Sequence, residues 1–142
     1  MIFTSEYQYS IDEKGRLIVP KSFRDILGNR YMMSKGLEAC LSVYPLDVWA
    51  KLAEKINSLN DFNPQNRALK LRFFSGSGEG EIDRQGRTLI NHEFRNHAHL
   101  TKDVYIVGSG DHVQIWDKKL WEEYRDGPLE NEYTSNAEAA FQ

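Results

Sequence analysis

Short alternating runs joined by turn formers set the rhythm of this chain. Tyr7 to Ile11 and Arg16 to Val19 read as strands on either side of a four-residue turn, Asp12-Glu13-Lys14-Gly15. An aspartate suits the first turn position because its carboxylate accepts backbone N–H bonds, and a glycine suits the last, where a left-handed conformation is often needed. Pro20 then opens a short helix whose Phe23, Ile26 and Leu27 share a face, and Gly28 can stop it. Strands follow at Tyr31–Ser34 and Cys40–Tyr44. The 3.6-residue spacing of Leu46, Trp49, Leu52, Ala53, Ile56 and Leu59 predicts a longer helix. Turn formers crowd residues 57–66. Over 64–74 the pattern fits either a helix begun by Pro64 or a strand alternating Arg67, Leu69, Leu71 and Phe73.

The rhythm then starts again. Residues 11–24 align with 82–95 at an offset of 71, with six of fourteen positions identical: Ile, Asp, Gly, Arg, Phe and Arg. Leu41–Trp49 aligns with Val113–Trp121 at an offset of 72. The second copy therefore predicts strands at Val104–Gly108 and His112–Trp116. It also predicts a helix capped by Asn91 and another capped by Asp117, spanning Lys118–Tyr124 and ended by Gly127-Pro128. The resulting division is 1–56 for the first repeat, 57–74 for a connector and helix, 75–125 for the second repeat, and 126–142 for an acidic, weakly patterned tail expected to be partly mobile. Gly76-Ser77-Gly78-Glu79-Gly80 lacks the Lys-Ser/Thr of a phosphate loop and is expected to let a strand bend or pass closely.

Composition narrows the chemistry. The net charge of −3 argues mildly against a polyanionic partner, but six of the acids lie in residues 122–142 against one base, Arg125. Residues 1–121 carry 17 basic and 15 acidic side chains, a net of +2, and phosphate binding depends on local potential rather than the total. This permits DNA binding without suggesting it. Cys40 is the sole cysteine, which leaves no internal disulfide or cysteine zinc cluster and fits a reducing cytoplasm; in its apolar run an inert buried thiol is expected. The N-terminus has no secretory pattern and no apolar run approaches the roughly 20 residues of a membrane span, so a soluble protein is expected. His92, His97, His99 and His112 do not form a convincing ligand set and read as structural or surface histidines. No nucleophile elbow, Walker loop, dinucleotide fingerprint or zincin helix occurs, so neither an enzyme, a cofactor nor a small-molecule substrate is expected.

Asp-x-x-Gly-Arg followed by a strand, a proline and a short helix resembles the AbrB/MazE-type swapped-hairpin DNA-binding module. Two such copies, with Asn63-Pro64 leading into Arg67 and with Arg72-Phe73-Phe74-Ser75-Gly76, resemble the MraZ family specifically over about residues 1–125. The resemblance implies an α+β, mainly β fold: a pseudo-two-fold, double swapped-hairpin β-barrel with short peripheral helices, in which one chain supplies both halves. It also implies a ring-shaped homo-oligomer and a cytoplasmic, nucleoid-associated transcriptional regulator. Such a protein binds short direct repeats in double-stranded promoter DNA, usually upstream of its own gene and the adjacent division and cell-wall cluster. The paired motifs carry the DNA contacts, which places that role here on Asp12 and Arg16 and on Asp83 and Arg87.

Within each loop the residue chemistry divides the labour. Arg16 and Arg87 offer permanently charged, bidentate donors to phosphate or a guanine edge, and Lys14 and Arg84 add sequence-independent attraction. Asp12 and Asp83 are expected to hold the turn, since phosphate repels a carboxylate, while Gly15 and Gly86 supply its conformation. Gln85 stands where the first copy has Lys14, so the two loops are expected to contact DNA differently. Arg67, Lys70 and Arg72 read as a solvated helix face or subunit contacts, and Tyr44, Trp49, Trp116 and Trp121 as core or interface. An antitoxin-like protein-binding module, with the acidic tail as its clamp, is the competing reading.

Overall fold

Half-buried Tyr7 and Tyr9 alternate with exposed Glu6, Gln8 and Ser10 in β1 (Glu6–Ser10), so one face of this strand turns to a core. A computed structural model describes residues 2–142. The first repeat continues through β2 (Arg16–Ile18), α1 (Lys21–Leu27), β3 (Arg30–Lys35), β4 (Leu41–Pro45) and α2 (Leu46–Asn57). A connecting helix, α3 (Pro64–Ser75), leads to the second: β5 (Ser77–Glu81), β6 (Arg87–Leu89), α4 (His92–His97), β7 (Asp103–Gly108), β8 (Val113–Asp117) and α5 (Lys118–Tyr124). The expected strands appear within a residue or so of their predicted ends.

The two repeats are interlaced. A six-stranded sheet runs β1-β7-β8-β4-β3-β5, and β2 pairs with β6 in a two-stranded ribbon. The first strand of each repeat thus pairs antiparallel with the third strand of the other, β1 with β7 and β5 with β3. Exchanging the repeats maps this order onto itself. The register fixes the pseudo-two-fold axis: it passes through the Leu17–Thr88 pair in the ribbon and the Ser42–Gln114 pair between β4 and β8.

Between the sheets lies one core drawn from both repeats. Leu17, Ile90, Val104 and Leu41 are fully buried, with Phe23, Tyr31, Ile106 and Val113 nearly so. Each such side chain contributes about 1.5–3 kcal/mol on leaving water. Both repeats contribute to this cluster, so each half completes its apolar burial against the other. The Tyr31 hydroxyl donates to Thr88 Oγ1, which donates in turn to the Glu81 carbonyl at 2.9 Å, tying β3 to the β5–β6 turn region. The Tyr31 ring lies so close over Gly80 that any Cβ there would overlap it. This is the close passage expected of the glycine-rich segment.

The ambiguous stretch over 64–74 is helical. Asn63 Oδ1 accepts the amides of Gln65 and Asn66 at 2.8 and 3.3 Å, and Pro64 fills the first helical position, where its missing N–H costs nothing. These start signals outweigh the strand-like alternation. Helices α2 and α3 contain no fully buried residue. Trp49 stacks on Phe73 at 5.9 Å while Leu46, Leu69, Leu71 and Phe74 stay exposed.

One expectation at the C-terminus needs correction. Gly127-Pro128 does not end the helical path after α5, which continues through a π-helical turn over Arg125–Leu129. The wider turn accommodates the missing proline donor. Arg125 anchors it by donating to Glu6 at 2.7 Å and Asp126 at 2.9 Å, and Trp121 Nε1 also donates to Glu6. The weakly patterned tail beyond it contains a helix, α6 (Tyr133–Ala140). Asn136-Ala137-Glu138-Ala139-Ala140 supplies helix propensity without an apolar stripe, so a reading based on periodicity passes over it.

Replacing Thr88 by Val keeps the shape of the side chain but strands the buried Tyr31 hydroxyl. Thermal or denaturant unfolding is expected to show a loss of about 1–3 kcal/mol, and an unchanged midpoint contradicts the role of this hydrogen bond.

Candidate nucleic-acid interface

Each Asp-x-x-Gly-Arg turn is built around its aspartate. Asp12 Oδ1 accepts the amides of Lys14 and Arg16, both at 2.9 Å, and the Asp12 amide donates to the Arg16 carbonyl at 2.9 Å. Asp83 does the same with Gln85 and Arg87, at 2.9 Å each, and closes on the Arg87 carbonyl at 2.8 Å. Gly15 and Gly86 take φ of 82° and 80°, the left-handed region that an L side chain resists. The backbone bonds from Arg16 hold the Asp12 carboxyl below its usual range, as those from Arg87 do for Asp83. Both aspartates therefore act as turn anchors.

The turns are also locked to each other. The Val19 amide donates to the Gly86 carbonyl and the Ile90 amide to the Gly15 carbonyl, both at 2.9 Å, extending the β2–β6 ladder across the repeats at each end. Arg24 lies over Gly86, and the Arg95 guanidinium carbon is 3.4 Å from where a Cβ on Gly15 would stand. Each turn is thus backed by an arginine from the other repeat.

This arrangement collects all eight residues singled out from the sequence at one end of the pseudo-two-fold axis. Leu17 and Thr88 point inward, so the outer face of the ribbon displays Arg16, Ile18, Arg87 and Leu89. Arg16 and Arg87 border one groove, whose other edge carries Glu79, Glu81 and Asp83. Glu79 is engaged by Arg30. Lys14 and Arg84 are exposed in their turns. The halves are not equivalent: Arg87 Nε lies 3.3 Å from Asp83 Oδ2, whereas Arg16 makes no ion pair among the described residues. A permanently cationic, solvent-facing β-ribbon of this kind can engage phosphates and base edges.

Arg24, Arg95, Ile18 and Leu89 were not singled out from the sequence. The repeat alignment held the signal for the first two, since Arg24 and Arg95 are its last identical pair. Strand alternation about Leu17 held it for the others.

The connector cations are engaged elsewhere. Arg67 donates to the Asp61 carbonyl at 2.8 Å, Lys70 pairs with Asp61 at 2.5 Å, and Arg72 donates to the carbonyls of Lys35 and Gly36 at 2.9 and 3.0 Å. Cys40 is fully buried beside Trp116 and Trp121, and burial pushes its thiol up to about 12. Among the described residues, no group of three or more His, Cys, Asp or Glu is placed to hold a metal, and no helix is long and apolar enough to cross a membrane.

Gly15→Ala forces an L side chain into positive φ against the Ile90 carbonyl, 3.2 Å from the new Cβ. A loss of about 1–2 kcal/mol in unfolding free energy is expected, and no loss contradicts the assigned conformation. Because the folded-state carboxyls are lowered, their contribution is full above the unfolded range near about 3.9 and disappears as pH falls through the folded values. NMR titration of Asp12 and Asp83 is expected to give midpoints below that range, and midpoints at or above it refute the anchoring role.

The family model described as "MraZ protein", which its description likens to antitoxins, matches twice, over residues 2–72 and 73–142. A protein of Desulfitobacterium hafniense (strain Y51) named "Transcriptional regulator MraZ" is 46% identical over 138 residues, covering 97% of this chain and 96% of that one. Proteins of the same name from Heliobacterium modesticaldum and Acetivibrio thermocellus are 45% identical over 125 residues and 46% over 123. They cover 88% and 87% of this chain and 87% and 86% of their own. The interlaced repeat with its paired turns, matched by the family model in both halves, belongs to the MraZ family.

Proposed function

We propose that this chain is a sequence-specific DNA-binding transcriptional regulator that grips repeated promoter elements, upstream of its own gene and the neighbouring division and cell-wall cluster, through its two Asp-x-x-Gly-Arg turns. The observation that carries this reading is the shared outward face of the ribbon, where Arg16 and Arg87 stand on opposite sides of the pseudo-two-fold axis. The name borne by relatives spanning nearly the whole chain supports the regulatory role. Arg16 and Arg87 contact phosphate or guanine, Lys14 and Arg84 add attraction, and Asp12, Asp83, Gly15 and Gly86 hold the turns in shape. One chain supplies only a few cations. Self-assembly into a ring raises the effective concentration of successive faces over successive DNA repeats. The exposed Leu46, Leu69, Leu71 and Phe74 on the α2–α3 arm are the surface best suited to subunit contact. The protein works in the cytoplasm at the nucleoid and needs no cofactor.

A second reading, an antitoxin-like protein-binding module, is favoured by α6 and the residues that flank it, where exposed Tyr133 and Phe141 accompany Glu132 and Glu138. Deletion of residues 129–142 distinguishes the two: the DNA-binding reading expects promoter affinity to survive.

Arg16→Ala combined with Arg87→Ala is expected to weaken binding to the duplex upstream of the gene by at least tenfold in an electrophoretic shift, with the assembly mass unchanged. Wild-type affinity is expected to fall steeply with salt, log K dropping by about 0.9 per tenfold rise for each phosphate contacted. Undiminished affinity in the double variant, or salt-insensitive binding, overturns the assignment.

A further inference from the structure

The outer face of the ribbon has an apolar component that a cationic site does not need. Ile18 is 46% exposed and Leu89 61%, although both stand between inward-facing core positions on short strands. In the register, Arg16 faces Leu89 and Ile18 faces Arg87, so arginine and aliphatic side chains form a checkerboard centred on the pseudo-two-fold axis. The two aliphatics occupy equivalent places in the two repeats. A solvent-facing ribbon position ordinarily carries a polar residue, and nothing in the core requires an aliphatic here.

We infer that Ile18 and Leu89 are specificity-determining residues that contact thymine methyl groups in the DNA major groove while Arg16 and Arg87 hold the flanking phosphates or guanines. This rests on the DNA-binding reading and gives it a base preference. The B-form major groove, about 12 Å wide, admits a two-stranded β-ribbon, and thymine alone among the bases presents a methyl group there. A three-residue strand is about 10 Å long, so the ribbon fits within the groove.

Charge selects this occupant. Arg16 lies on the face, Lys14 and Arg84 stand in its two turns, and Arg24 and Arg95 back those turns, all without ion pairs among the described residues. The carboxylates of Asp12 and Asp83 are turned to backbone amides, and Glu79 to Arg30. That leaves Glu13 and Glu81 as the nearby carboxylates without such partners. A second copy of the chain would bring the same cations against themselves. Two aliphatic side chains also expose only on the order of 200 Å² of apolar surface, far below the roughly 1,000 Å² of a stable protein interface.

The test removes the methyl groups and nothing else. The duplex upstream of the gene is amplified with dTTP or with dUTP, and the affinity of the full-length protein for each product is measured by fluorescence polarisation. The wild type is expected to bind the uracil duplex about threefold to tenfold more weakly. Ile18→Ser/Leu89→Ser is expected to bind both duplexes equally and more weakly than wild type binds the thymine duplex. Ile18→Val/Leu89→Ile, which keeps β-compatible aliphatics, is expected to retain the difference. Equal wild-type binding to the two duplexes overturns the inference while leaving the DNA-binding reading intact. Failure to bind either duplex removes that reading itself. A serine variant that keeps the full thymine preference, or that changes the mass of the assembly, also overturns the inference, the latter by making the face a subunit contact.

Discussion

Everything at the candidate site depends on the pairing of β2 with β6 across the two repeats. Each strand has only three residues, and an isolated ribbon of that size is not stable in water. It persists because the ladder continues into the turns, where each glycine carbonyl accepts an amide from the other repeat. The inward residues Leu17 and Thr88 sit in the shared core. Fold stability and loop geometry are therefore the same problem. Positive φ at Gly15 and Gly86 points each carbonyl across the axis, and the aspartates hold the remaining turn amides.

The same constraint explains why a duplicated chain makes one site instead of two. Arg24 and Arg95 are contributed to the opposite turn, and Arg87 lies close enough to help lower the Asp12 carboxyl. Neither repeat completes its own loop. Covalent linkage fixes the spacing between Arg16 and Arg87, while freeing each half to diverge, as Lys14 against Gln85 and the single Asp83–Arg87 ion pair indicate.

Much of this was legible in the sequence. The strand and helix runs were visible in hydrophobic spacing, and Asn91 and Asp117 declared themselves as caps by residue type alone. The eight turn residues stood out because the repeat displays them twice. Strand pairing was less accessible: alternation tells which face of a strand is buried, not which strand lies beside it, and the exchange of partners between repeats came from family resemblance. The connector was ambiguous because Arg67, Leu69, Leu71 and Phe73 alternate by chance, and the Asn63 cap decided it. The π-helical turn depends on long-range anchoring of Arg125 and Trp121 to Glu6, more than a hundred residues away, and no local pattern announces that. The backing role of Arg24 and Arg95 was similarly hidden, since it arises only when the repeats interlace.

The two turns form a single cooperative unit. Amide hydrogen exchange of Val19 and Ile90, followed by NMR under native conditions, tests it most directly. Both amides are expected to exchange at the same slow rate, set by global unfolding, because each donates to the other repeat's turn. Fast exchange of either amide while the other stays protected would show that the turns open independently and are not one unit.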